Sequence, residues 1–216
     1  MGHAGSANDG GALEAGGRED ERWRKKHPER LMVTVIRWSH LCVLFTFVTR
    51  SPTECPYHKP LGFEAGSVSP DQITCSSQDQ YTGWFSSWLP SKARLNTQGF
   101  GCAWLSKFQD SSQWLQIDLM EELVVSGILT QGRCDAEEWI TKYSLQYRTD
   151  EKLNWIYYKD PTGNNRVFYG NSDRSSSVQN LLRPPIVARY IRILPLGWHT
   201  RIALRMELLL CMNKCI

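Results

Sequence analysis

Between Trp114 and Leu119 the chain alternates without a break. Leu115, Ile117 and Leu119 fall on one side, and Trp114, Gln116 and Asp118 fall on the other. An extended backbone turns successive side chains to opposite faces, so this pattern predicts a strand with one buried face. Just upstream, Gly99 and Gly101 free the backbone to turn sharply. Cys102, in the same loop, is placed to be tied to another loop. The stretch reads as the central strand of a sandwich with a functional loop leading into it.

Further strand candidates follow at Leu123–Thr130, Tyr143–Tyr147, Trp155–Tyr158, Arg166–Tyr169 and Ala188–Leu194. Gly163-Asn164-Asn165 reads as a turn, and Arg183-Pro184-Pro185 as a connection ahead of the Ala188–Leu194 strand. Ile202, Leu204, Met206 and Leu208 alternate with Ala203, Arg205 and Glu207, which predicts a half-buried final strand. No long helix is evident. Many short strands separated by Gly, Pro and Asn turns predict an all-β sandwich or barrel.

From Cys55 onward, 17 lysines and arginines face 15 aspartates and glutamates. That near-balance lacks the clustered basic face of a nucleic-acid binder, so no nucleic-acid partner is expected. The chain has seven cysteines. Six of them, at 55, 75, 102, 134, 211 and 215, fall beyond the first fifty residues, and none forms a C-x-x-C pair. A zinc site is therefore not expected, and a secreted disulfide framework fits better, although spacing alone leaves the pairing open. No G-x-S-x-G elbow, phosphate loop or H-E-x-x-H motif is present, and no catalytic residue is expected. Asp135, Glu137 and Glu138 form one acidic cluster. It reads as a solvated edge, with loose calcium binding or glycoside chemistry as remote alternatives.

Trp104 and the Trp-Leu-Gln-Ile-Asp-Leu run at 114–119 resemble the core signature of the discoidin family, also called the coagulation factor V/VIII C-type domain. Ala188–Pro195 followed by Trp198 resembles its second signature. ECPYHKPLGFE at 54–64, QGRCD at 131–135 and RTDEKLNWIYYKD at 148–160 extend the resemblance nearly without gaps over residues 54–216. It implies an eight-stranded jelly roll over 51–216 with projecting spike loops. Within the family the likeness is to extracellular adhesion proteins that hold retinal cell layers together, bound peripherally at the plasma membrane to phospholipid, glycan or a membrane protein complex. A lectin-like module without a scaffold role is the alternative.

The same resemblance assigns residues. The spikes would be the aromatic loop at 80–88, with Tyr81, Trp84 and Phe85 outward and Trp88 in the core; Gln98–Cys102, with Phe100; and Gly132–Trp139. Arg192, Arg189 and Arg201 are implied to lie near these loops, Arg192 as a ligand contact. Cys55 is implied to pair with Cys211 and Cys102 with Cys134, leaving Cys75 as a buried free thiol. Arg133 and Cys215 are implied to be intermolecular contacts. Family members of this kind build disulfide-linked rings through a cysteine four residues before the one at 55. Here that position is Ser51, which argues against a covalent octamer and leaves Cys215 able to join chains in pairs.

Residues 1–30 are rich in Gly, Ala and charge without periodicity and are expected to be disordered. Basic residues up to Arg30 then precede the apolar segment 31–50, which contains Arg37 and His40. That segment reads as a signal-like sequence or weak anchor rather than a full membrane span. The resemblance implies a short signal peptide and a Cys-rich segment here. Neither is recognisable, so an atypical start is expected.

Overall fold

Leu115, Ile117 and Leu119 are buried, and Trp114, Gln116 and Asp118 are half-exposed, as the alternation requires. The computed structural model describes residues 54–80 and 88–212. The expected segments at 1–30 and 31–50, together with Ser51, Tyr81, Trp84, Phe85 and Cys215, lie outside them.

Nine strands form among the described residues, where the resemblance implies eight. They are β1 (Tyr57–Pro60), β2 (Ile73–Cys75), β3 (Trp104–Leu105), β4 (Leu115–Gln131), β5 (Trp139–Arg148), β6 (Ile156–Tyr157), β7 (Phe168–Tyr169), β8 (Val178–His199) and β9 (Ala203–Met212). The sheet runs β1-β9-β4-β8-β5-β6, with β2 on β4, β3 on β9 and β7 on β5. All pairings are antiparallel. Among the described residues the only helical pieces are 3-10 turns at Pro70–Gln72 and Pro90–Lys92. This is a jelly-roll fold, almost without helix.

Two strands are longer than their local sequence suggests. β8 has 22 residues, about 73 Å if straight at ~3.3 Å per residue, more than a domain of this size is wide. It therefore bends, and β4 bends with it. Register shifts fall between Asp118 and Leu123 and between Val125 and Gly127, with Met120 at φ 69° in the first. Arg183-Pro184-Pro185 is thus not a connection ahead of a strand; it lies inside β8. There β4 advances from Val125 to Gly127 while β8 runs from Ile186 to Leu181. The prolines occupy the unpaired excess, where a missing N–H leaves no gap in the ladder.

The core gathers Phe63, Trp104, Leu115, Ile117, Tyr143, Leu145, Ile191, Ile193, Leu204 and Leu208 with their neighbours. β9 departs from the expected half-burial: Arg205 and Glu207 are also buried, at 1% and 2% exposure. The two Glu207 carboxylate oxygens accept from the backbone N–H groups of Gly62, Phe63, Glu64 and Leu208 at 3.0–3.1 Å. Gly62 takes φ 116° to enter this cradle, a conformation that glycine adopts without strain. Glu207→Gln would set an NH2 group against an N–H donor. Urea unfolding should register a loss of about 2–3 kcal/mol. A loss below about 1 kcal/mol would mean that the loop at 62–64 is held by other contacts.

Cys55 and Cys211 are bonded, with Cα atoms 5.5 Å apart and a sequence separation of 156 residues. The bond ties the exposed strand β1 to β9. Cys75, on β2, is the free cysteine among the described residues. It is half-buried rather than fully buried, because its strand is paired on one side only, to β4. Burial raises its thiol pKa.

Candidate functional site

The second and third expected spikes meet. Gly99 and Gly101 take φ 88° and 69°, which turns the chain so that Cys102 faces the loop at 132–139. Cys102 and Cys134 are bonded, with Cα atoms 6.2 Å apart. Their sulfurs and the Asp135 carboxylate lie close enough together to suggest a cation site, but a disulfide offers no thiolate to a metal. Phe100, at the loop tip, is 61% exposed, and its ring is 5.3 Å from that of Trp88. Trp88 itself is buried with Leu105 and Ala203.

Arg133 covers the other part of this cluster. Its guanidinium lies 3.8 Å from the Trp88 ring centroid, and it pairs with Asp135 at 2.5 Å and Glu138 at 2.8 Å. Burial works against its charge, but the two carboxylates outweigh that and raise its pKa. Glu137 pairs with Arg174 at 3.3 Å. All three acids of the cluster thus face arginines, which would compete with a calcium ion for them. Arg133, read from the resemblance as an intermolecular contact, has its guanidinium engaged within its own loop. Beside it, Trp139 stacks on His199 with ring centroids 4.2 Å apart.

Beneath both loops lies Arg205, which sequence reasoning missed. Its Nε donates to the Gly132 carbonyl at 2.6 Å, and its terminal nitrogens donate to Thr97 and Arg174 carbonyls, each at 2.8 Å. One buried cation therefore fixes the bases of the loops at 97–102 and 132–139 and of a third segment at 174. Burial pushes its pKa down, and Asp135 opposes the shift. Gln131 adds to the platform: its amide nitrogen donates to Asn96 Oδ1, the Ser175 carbonyl and Ser177 Oγ. Loop segments bound in this way lose little further freedom on meeting a ligand.

The three other expected arginines separate from one another. Arg201 pairs with Asp79 at 2.8 Å, just before the undescribed 81–87. Arg189 is tied to Asp118 at 3.0 Å, a salt bridge along the strand face. Arg192 sits on the outer face of β8, seven residues along the strand from His199 and in register with Gln116 and Gln146.

Residues 72–208 match the F5/8 type C domain model. Over 162 residues the chain is 92% identical to retinoschisin of Takifugu rubripes and 79% identical to that of Homo sapiens, covering 75% of this chain in each case. It spans 58% of the first relative's length and 72% of the second's. Lactadherin of Bos taurus is 40% identical over 157 residues, 71% of this chain and 36% of that protein. Among solved structures, recombinant discoidin II of Dictyostelium discoideum superposes with a TM-score of 0.55 at 28% identity, covering 66% of this chain and 56% of that one. With its bent β4 and β8 ribbon and its paired signature segments, this chain belongs to the F5/8 type C, or discoidin, domain family.

Proposed function

We propose that the chain is an extracellular, non-enzymatic adhesion protein that docks its disulfide-joined loops onto a cell surface, binding phospholipid headgroups or glycan. One observation carries the reading: an exposed aromatic tip, Phe100, stands on a platform clamped by Cys102–Cys134 and fixed from below by the buried Arg205. An exposed ring on a stiff base is what a surface contact requires, because the contact area comes with little ordering cost. Two disulfides in one domain favour an oxidising, extracellular setting. The high identity to retinoschisin over three quarters of the chain supports a role in holding retinal cell layers together. Tyr81, Trp84 and Phe85 would extend the same aromatic edge from the neighbouring loop, on the sequence reading of 80–88.

Vesicle sedimentation with phosphatidylserine in phosphatidylcholine, run beside a glycan array, tests the reading. Trp84→Ala and Phe100→Ala should each weaken binding by about 1–3 kcal/mol while the melting temperature stays nearly unchanged. Unaltered affinity in both variants, or a collapse of stability, would remove these rings from the contact surface.

A further inference from the structure

Arginines and aromatic rings alternate along the outer face of the sheet, away from the core. Antiparallel pairing sets Gln116, Arg192 and Gln146 in one row and Asp118, Tyr190 and Arg148 in the next. The Arg192 guanidinium lies 4.1 Å from the ring centroids of both Trp114 and Trp155. Arg148 lies 4.4 Å from the same Trp155 ring and 4.9 Å from Tyr190. Two like charges therefore share one indole.

Their hydrogen bonding is incomplete. Arg148 donates one terminal nitrogen to the carbonyls of Glu151 and Leu153, and its Nε is buried without an acceptor. Arg192 donates Nε to Gln116 Oε1 at 2.9 Å, and its terminal nitrogens reach no acceptor among the described residues. Arg189, Arg133, Arg174 and Arg201 each face a carboxylate, and Arg94 and Arg205 are each tied to three carbonyls. Arg166 and Arg183 also lack such partners, but they are exposed to water, whereas Arg148 and Arg192 are half-buried. Among the described residues, neither Arg148 nor Arg192 has a carboxylate within ion-pair distance. Burial, and then the nearby charge of Arg148, pull the Arg192 pKa down. A bound anion would relieve that repulsion.

The geometry points to an oxyanion site in which Arg192 and Arg148, flanked by Trp114 and Trp155, hold the sulfate ester of an extracellular glycan. With rings beside the Arg192 guanidinium and Gln116 on its Nε, the open part is the terminal edge, whose parallel N–H groups match two oxygens of a tetrahedral anion. Arg192 is seven residues along β8 from His199, the register partner of Trp139, or about 23 Å of strand. A membrane held at the loops leaves this face turned sideways, which favours a glycan over a lipid headgroup. That choice of source rests on the proposed function; the anion site itself does not.

The test follows the arginine Nε–H signals of the full chain by NMR while a heparin-derived hexasaccharide, or inorganic sulfate, is titrated in. The Arg192 and Arg148 signals should shift and saturate while Arg189 stays still. Arg192→Gln and Arg148→Gln should each raise the Kd for the hexasaccharide about tenfold, and Arg189→Gln should leave it unchanged. Arg192→Gln also loses its ring contacts. If it fails to fold, Arg148→Gln and the wild-type titration decide. Absence of a saturating shift, or equal movement of all arginines, overturns the site. Phosphatidylserine vesicles form the second arm: loss of vesicle binding in Arg148→Gln would assign a headgroup phosphate and overturn the glycan, whereas unchanged vesicle binding supports it.

Discussion

Replacing both Cys55 and Cys211 with serine is expected to lower the unfolding free energy by about 4–5 kcal/mol, as an upper estimate. The bond closes a 156-residue separation. In the chain-entropy model, opening so long a loop returns a large share of the freedom denied to the unfolded chain. Little else compensates at this corner, since all four residues of β1 are exposed and the strand contributes no core side chain. The melting temperature should fall by roughly 10–20 °C for a domain of this size. Hydrogen exchange should rise along the Tyr57–Pro60 ladder. A fall of only about 3 °C would mean that β1 is held by its ladder to β9 and that the bridge is dispensable for the fold.

Arg205→Met should cost about 3–5 kcal/mol, and its effect should reach beyond stability. The substitution keeps much of the side-chain volume but leaves the Gly132, Thr97 and Arg174 carbonyls without their buried donor. Removing one side of a buried, charge-assisted network costs more than the network's net worth, because the remaining groups stay desolvated. Urea unfolding reads the stability. Hydrogen exchange at 97–102 and 132–139 reads whether the platform has loosened, and vesicle affinity should drop with it. A variant with native stability and rigid loops would show that the disulfide alone sets their geometry.

The alternation at 114–119 reports the core face directly, and the signature segments carry the fold. What escaped had a common cause: local pattern does not reveal what covers the second face of a strand. Arg205 and Glu207 occupy the positions of β9 that alternate with apolar residues, where a charge ordinarily reads as solvated. Loops folded over that face bury both. The Arg183-Pro184-Pro185 run carries turn chemistry and was expected as a connection ahead of a strand. It falls at a register shift within a long bent strand, because neighbouring strands continue the ladder on either side. Arg192 was expected near the loops from resemblance. Its row on the sheet depends on the β4, β5 and β8 registers, which no single segment contains. The aromatic loop at 80–88 remains a sequence expectation except for Trp88, which is buried beneath Arg133 and Phe100.

The central claim is that the chain meets its target through the joined loops. Backbone hydrogen exchange of the full chain, with and without phosphatidylserine vesicles or an unsulfated glycan found on the array, tests it most directly. Bound ligand should slow exchange at 98–102 and 132–139 and leave Leu123–Val125 and Ile186–Ala188 unchanged, since those rungs sit about seven residues along β4 from the loop base. Protection confined to those rungs, or to the Arg192 row with the loops unaffected, would contradict it.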